Sequence, residues 1–133
     1  MTTTRKVYNV LCVTQGLYTL LTALWALVDI RSFMLVTGPK TDIWLVKTVA
    51  GILVSVALCF LSGPFVRQDF FTVILVGITS SAALASIDFY YTANGTIKKI
   101  YRADGNLQVI FLLGWLYLTM NRKKLLQSRR PKE

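Results

Sequence analysis

The sequence predicts an all-α integral membrane protein, a four-helix bundle with its N-terminus and C-terminus on the cytoplasmic side. Three observations favour this fold class: apolar residue types make up 54% of the 133 residues, charged residues only 16%, and the mean hydropathy is +0.54. An ordinary soluble domain has about 25% charged residues, and a disordered chain combines low hydrophobicity with high charge. The composition therefore argues against a soluble enzyme and against disorder.

Four apolar segments are long enough to be the four helices. A bilayer core of about 30 Å requires roughly 20 apolar residues in a helix. We expect helices over residues 7–29, 43–62, 70–91 and 98–122, which leave the whole chain, 1–133, as one transmembrane domain. The last span is apolar only over 107–120, so its first membrane turns contain Tyr101, Asp104 and Gln108.

Turn residues separate the segments. Residues 37–42 combine Gly38 and Pro39 with Thr41 and Asp42, either of which can cap the second helix. Gly63-Pro64 ends that helix, Asp69 can cap the third, and Asn94-Gly95 forms a turn after it. The first span follows Arg5 and Lys6 as a signal peptide would, but it is too long and lacks a small-residue cleavage site.

The distribution of Lys and Arg predicts the orientation. Nine lie before the first span, between the second and third, or after the fourth, five lie in the other two loops, and the fifteenth, Lys47, is inside a span. By the positive-inside rule both termini are cytoplasmic and loops 30–42 and 92–104 are outside. We expect a multi-pass protein of a bacterial inner membrane. Its basic tail, 123–133, contacts anionic lipid headgroups and lacks the features of a nucleic-acid-binding module.

Each span carries small or polar residues at three- and four-residue spacing, which places them on one helical face. Such residues allow close helix packing, whereas charges within a membrane usually face the bundle interior. These faces should therefore converge. They contain Gln15, Thr19, Thr22, Ala26 and Asp29 on the first span, Lys47, Gly51 and Ser55 on the second, Gly77, Ser81, Ala85 and Asp88 on the third, and Asp104, Gln108, Phe111 and Trp115 on the fourth.

The charges on these faces predict a ligand-binding site. Asp29, Lys47, Asp88 and Asp104 all fall in the predicted outer half of the bilayer, where an excess of acids favours protonation of one carboxyl group. Lys47 requires a carboxylate partner, and we expect an ion pair with Asp88, or with Asp29 as the second candidate. The predicted ligand-binding residues are Asp29, Lys47, Asp88, Asp104, Gln108, Gln15, Tyr101 and Trp115.

These residues leave three classes of function open. The first is an acidic cavity that binds, or transports, a small cationic or amphipathic, lipid-like ligand. The second is a membrane enzyme that uses Asp/Lys acid–base chemistry on a lipid-like substrate. The third is a structural or assembly subunit in which ion pairs fix helix register. The chain has no His and only two Cys, so we expect no cofactor and no metal site.

Residues 37–48, TGPKTDIWLVKT, resemble a segment of small uncharacterised four-helix bacterial membrane proteins. The layout of four spans with acids near one membrane face is also similar in outline to the sterol-isomerase and sigma-2-type membrane fold. That second resemblance implies a lipid-like or cationic amphipathic ligand and a homodimer. It identifies no functional residue by position.

Overall fold

The structure is a computed structural model that describes residues 2–66 and 70–128. The described part is all-helical, as expected, but it has six helices rather than four. They are α1 (Thr3–Val28), α2 (Ile30–Thr37), α3 (Ile43–Ser62), α4 (Phe70–Ala93), α5 (Ile100–Met120) and α6 (Arg122–Gln127).

The two additional helices are short and lie at the ends of long ones. The predicted outer loop 30–42 contains α2, which begins where the side chain of Asp29 accepts a hydrogen bond from the Ser32 backbone N–H at 3.2 Å. It ends at Gly38, whose φ of 99° is a conformation that favours glycine. The predicted tail begins as α6, which is anchored by the buried side chain of Leu125. Residues 129–133 and Asp69, the predicted cap of the third span, lie outside the described residues.

The four long helices alternate in direction. Tyr8 of α1 reaches Gly63 after α3, and Gly77 of α4 faces Trp115 of α5, so each of these pairs is antiparallel. The main packing is within these pairs, α1 with α3 and α4 with α5, and α1 against α5 joins them. We call the end that holds the N-terminus and α6 the termini end, and the end that holds α2 the loop end.

The bundle has an apolar exterior and a partly polar interior. Large apolar side chains are widely exposed, among them Leu21 at 66%, Phe71 at 67% and Leu113 at 61%. A soluble monomer rarely exposes contiguous apolar surface on this scale. The buried polar side chains among the described residues are Thr4, Gln15, Thr19, Thr37, Ser81, Asp88, Thr92 and Gln108.

Three of the described helices, α1, α3 and α4, are long and apolar enough to cross a membrane. The fourth predicted span, α5, is 21 residues long, but its first turns hold Arg102, Asp104 and Gln108. These polar residues lower its mean hydropathy. The structure thus supports three of the four expected spans by length and composition.

Candidate functional site

A line of polar side chains runs through the centre of the bundle, where α1, α4 and α5 face one another. Apart from Tyr18, each residue lies on the predicted small or polar face of its helix, so these faces of the three helices meet at the seam. We call this line the polar seam. It consists of Gln15 and Tyr18 from α1, Ser81 and Asp88 from α4, and Asp104, Gln108 and Trp115 from α5.

Gln15 connects the three helices at the middle of the seam. Its Nε2 donates a hydrogen bond to Ser81 Oγ at 2.9 Å, and its Oε1 accepts one from Trp115 Nε1 at 2.6 Å. Gln15, Ser81 and Trp115 are each 1% exposed or less. Buried polar groups are costly unless they are paired, so this pairing fixes the relative positions of the helices.

Trp115 fills a space that Gly77 leaves in α4. A Cβ added at Gly77 would overlap the indole ring of Trp115. The ring also stacks on Phe60, with centroids 5.6 Å apart and planes at 18°, and it meets the edge of Tyr8. The indole is thus held from several sides, and it closes the polar seam toward the termini end.

Asp104 is the centre of the seam toward the loop end. Its Oδ1 accepts hydrogen bonds from Tyr18 OH at 2.7 Å and from Gln108 Nε2 at 3.2 Å. The residue is partly exposed, unlike Gln15 or Asp88. Two donors on one oxygen are typical of a carboxylate that is held in a fixed orientation, and its exposed part remains able to contact a ligand.

Asp88 lies beside Asp104, and one of its carboxyl oxygens lacks a hydrogen-bond donor among the described residues. Asp88 is only 4% exposed, and its carboxyl group interacts electrostatically with Asp104. Asp88 Oδ2 and Gln108 Oε1 are buried and have no hydrogen-bond partner among the described residues. A buried acceptor without a donor carries a desolvation penalty. A ligand that complements this part of the seam would therefore supply a cation or a hydrogen-bond donor.

An open groove reaches Asp104 from the surface between α1, α2 and α5. Its volume is about 420 Å³, within the range of roughly 300–1,000 Å³ usual for small-molecule sites. Asp104 is the acidic group in the wall of the groove, and four aromatic residues also line it. We call it the aromatic groove, and it is lined by Tyr18, Thr22, Trp25, Phe33, Val36, Thr37, Ile100, Tyr101, Ala103, Asp104 and Leu107.

The structure brings together six of the eight predicted site residues. Five belong to the polar seam, and Tyr101 lines the aromatic groove, where its ring also receives Lys40 Nζ at 5.3 Å. Asp29 is separate from them. It caps α2 at the surface, and the backbone N–H of Ser32 lowers the pKa of its carboxyl group. The five in the seam are Gln15, Asp88, Asp104, Gln108 and Trp115.

The position of Lys47 requires a correction. Lys47 is exposed, and no ion pair forms among residues 2–66 and 70–128, so the expected contacts with Asp88 and Asp29 are absent there. The physical reason is the rotation of α3, which buries Ala50, Ala57 and Phe60 instead. The face of Lys47, Gly51 and Ser55 points outward, and nothing lies within 4 Å of a Cβ added at Gly51.

Sequence reasoning missed two contributors to the site. Tyr18 orients Asp104, and its spacing of three residues from Gln15 could have placed it on the same helical face. The other is α2, whose Phe33 lines the aromatic groove and packs edge-on against Trp25 at 5.4 Å. The sequence does carry signals for that helix. Asp29, with Ser32 three residues later, is a start signal, and Gly38 is a stop signal.

Among the described residues, no group of three or more Cys, Asp or Glu side chains could hold a metal ion. Comparison of the chain with protein-family models, curated proteins and solved structures found no match. The resemblances drawn from residues 37–48 and from the order of the spans therefore stay predictions.

Proposed function

We propose that this is a multi-pass membrane protein that binds an amphipathic cation in the aromatic groove, with its charged group at Asp104. The observation that carries the proposal is the position of the Asp104 carboxylate. It lies in the wall of an aromatic groove and adjoins two buried acceptors that lack donors, Asp88 Oδ2 and Gln108 Oε1. Transport of such a ligand would use the same site.

Membrane embedding is supported by the apolar exterior and by three helices of sufficient length. In this proposal α5 is the fourth span, because Asp104 and Gln108 of its first turns face the seam rather than lipid. Both termini are placed in the cytoplasm, which the Lys and Arg distribution supports. The test places a single cysteine in the C-terminal tail of a chain that lacks Cys12 and Cys59. This cysteine should resist labelling from outside intact cells, and its labelling would show the opposite orientation.

The chemistry of the groove favours a ligand with an ammonium group and an apolar or aromatic body. Aromatic faces attract cations within about 6 Å, and the rings of Tyr18 and Trp25 line the same groove as Asp104. An ammonium with N–H groups can also donate hydrogen bonds to carboxylate oxygen. The Asp/Lys acid–base alternative is less well supported, because Lys47 points away from the polar seam.

The test uses 4-phenylbutylammonium as the cationic probe and 4-phenylbutanol as its neutral counterpart. Binding to the protein in lipid nanodiscs is measured by calorimetry, with empty nanodiscs as the partition control. We expect the ammonium to bind more tightly than the alcohol, and Asp104→Asn to weaken ammonium binding by about tenfold or more. The matched control is Asp42→Asn, at the same end but outside the groove.

Two results would overturn the proposal. One is equal binding of ammonium and alcohol, which would mean simple apolar partition. The other is unchanged ammonium binding in a folded Asp104→Asn variant. If neither probe binds above the empty-nanodisc level, a structural role for the polar seam becomes the better account, because the Gln15 contacts join three helices without any ligand.

A further inference from the structure

The two ends of the bundle differ in charge. The acidic residues of the described chain, Asp29, Asp42, Asp88 and Asp104, all lie in the half toward the loop end. At the termini end, every charged side chain among the described residues is basic. These side chains are Arg5, Lys6, Arg122, Lys123 and Lys124. An electrostatic complement to the termini end must therefore be anionic.

A second groove opens at this end, between the first turns of α4, the last turn of α5 and α6. It has a volume of about 310 Å³. All but two of its lining residues are large and apolar, the exceptions being Thr119 and Arg122. We call it the termini-end groove, and it is lined by Phe70, Phe71, Ile74, Leu75, Ile78, Thr119, Arg122, Leu125 and Leu126.

The basic residues at the termini end are not equivalent. Arg5 is engaged within the protein, since its guanidinium donates to the Pro64 carbonyl at 3.3 Å and lies 5.0 Å from the centroid of the Phe70 ring. Arg122, by contrast, lines the groove, is exposed and has no hydrogen-bond or ion-pair partner among the described residues. It begins α6, where Lys123 and Lys124 follow it. A guanidinium at the mouth of an apolar groove suits a phosphate whose apolar part enters the groove.

We propose that the termini-end groove binds an anionic phospholipid, with an acyl chain along α4 and the phosphate at Arg122. Charge complementarity selects this occupant, because the groove is apolar and the one charged group among its described lining residues is a guanidinium. The short helix α6 places Leu125 inward and its basic residues outward, the arrangement of a segment that lies in a membrane interface. The site is distinct from the aromatic groove and does not depend on a ligand there.

The test measures retained lipid on the full-length protein by native mass spectrometry, after extraction and addition of phosphatidylglycerol or phosphatidylcholine. We expect preferential retention of phosphatidylglycerol. Arg122→Gln should lower that retention about fivefold, the fold-change for one cation worth ~1 kcal/mol near an anionic headgroup. The matched control is Lys6→Gln, which removes a charge at the same end but outside the groove, and which should leave retention unchanged.

A second pair of variants tests the apolar part of the site. Leu75 is 47% exposed and lines the groove, whereas Leu113 is 61% exposed and does not. Leu75→Gln should lower retention, and Leu113→Gln should not. Equal losses in Arg122→Gln and Lys6→Gln would indicate diffuse attraction by the basic end and overturn the proposal. So would full competition by glycerol phosphate, which has no acyl chain, or equal retention of the two lipids.

Discussion

Helices α3 and α4 have the same sequence pattern but use it in opposite ways. Both are apolar helices of 20 or more residues with small and charged residues at near four-residue spacing. On α4 this face is buried, with Ser81 at 0% and Asp88 at 4% exposure. On α3 the corresponding face of Lys47, Gly51 and Ser55 is exposed.

The difference comes from the partners available to each face. The face of α4 meets Gln15 of α1 and Trp115 of α5, which supply hydrogen bonds and a ring that fits against Gly77. The buried face of α3 meets α1 through Ala57 and Phe60, which need only close packing. Periodicity in a membrane helix therefore identifies a face, but the partner decides which face is buried.

The largest loss of stability should come from removing the hydrogen bonds that Gln15 makes at the buried face of α4. Gln15→Leu leaves both Ser81 Oγ and Trp115 Nε1 without their present partner in the core. Each unpaired buried group costs about 1–3 kcal/mol, so we expect a large fall in melting temperature in detergent solution. The matched control is Ser55→Leu on the exposed face of α3, which should melt like the parent. Equal effects at the two sites would contradict the contrast between the faces.

A matched pair of glycines should give the next largest difference. Gly77→Ala places a methyl group against the rigid indole of Trp115, and overpacking of this kind costs about 1–3 kcal/mol. Gly51→Ala meets nothing within 4 Å and should be neutral or slightly stabilising. The two melting temperatures, measured under the same conditions, are the readout. A destabilised Gly51→Ala variant would show that the exposed face of α3 is covered in the membrane, for example by a second copy.

Removal of the charge on α3 should have a small effect. Lys47 is exposed and has no ion-pair partner among the described residues, so Lys47→Met should change the free energy of unfolding by about 0.5 kcal/mol or less. The sequence alone predicted the opposite, a strongly destabilising loss of a buried pair. Chemical denaturation of the parent and the Lys47→Met variant separates these expectations. A loss of several kcal/mol in the free energy of unfolding would indicate that Lys47 is buried and paired.

The smallest effect concerns the cap of α2, which lies outside both faces. The Ser32 backbone N–H lowers the pKa of the Asp29 carboxyl group below its ordinary value of 3.8. Because the pKa is lowered in the folded state, the stabilisation is present above pH 3.8 and is lost as the pH falls through the lower folded value. We expect Asp29→Ala to lower the melting temperature slightly at pH 7, and by progressively less as the pH falls below 3.8. A difference that does not shrink with falling pH would argue against the charged cap.

Much of the fold could be predicted from run length alone. The span at 43–62 has the observed bounds of α3, and those of α1, α4 and α5 differ from prediction by a few residues at one or both ends. Thr41 or Asp42 was predicted to cap α3. Asp42 occupies the N-cap position, but its side chain makes no capping hydrogen bond. The short helix α2 was missed because only segments long enough to cross a membrane were considered, and α2 has eight residues.

The polar seam could be predicted in part. The spacing of polar residues indicated an interior face correctly at Gln15, Ser81, Asp88 and Gln108, all of which are buried. The position of Lys47 could not be derived in the same way. Lys47 is close to the start of α3 and can keep its amine at the membrane interface, so its burial was never obligatory.

The most direct test of the contrast between α3 and the closed core uses tryptophan quenching by lipids with brominated acyl chains. The double variant Trp25→Phe/Trp44→Phe retains one tryptophan, Trp115, which is 0% exposed. The single variant Trp25→Phe retains Trp115 and also Trp44, which is 70% exposed. We predict that Trp115 resists quenching by bromines at every depth, and that Trp44 adds a component quenched by shallow bromines. Strong quenching of Trp115 in the folded protein would contradict a core closed by α1, α4 and α5.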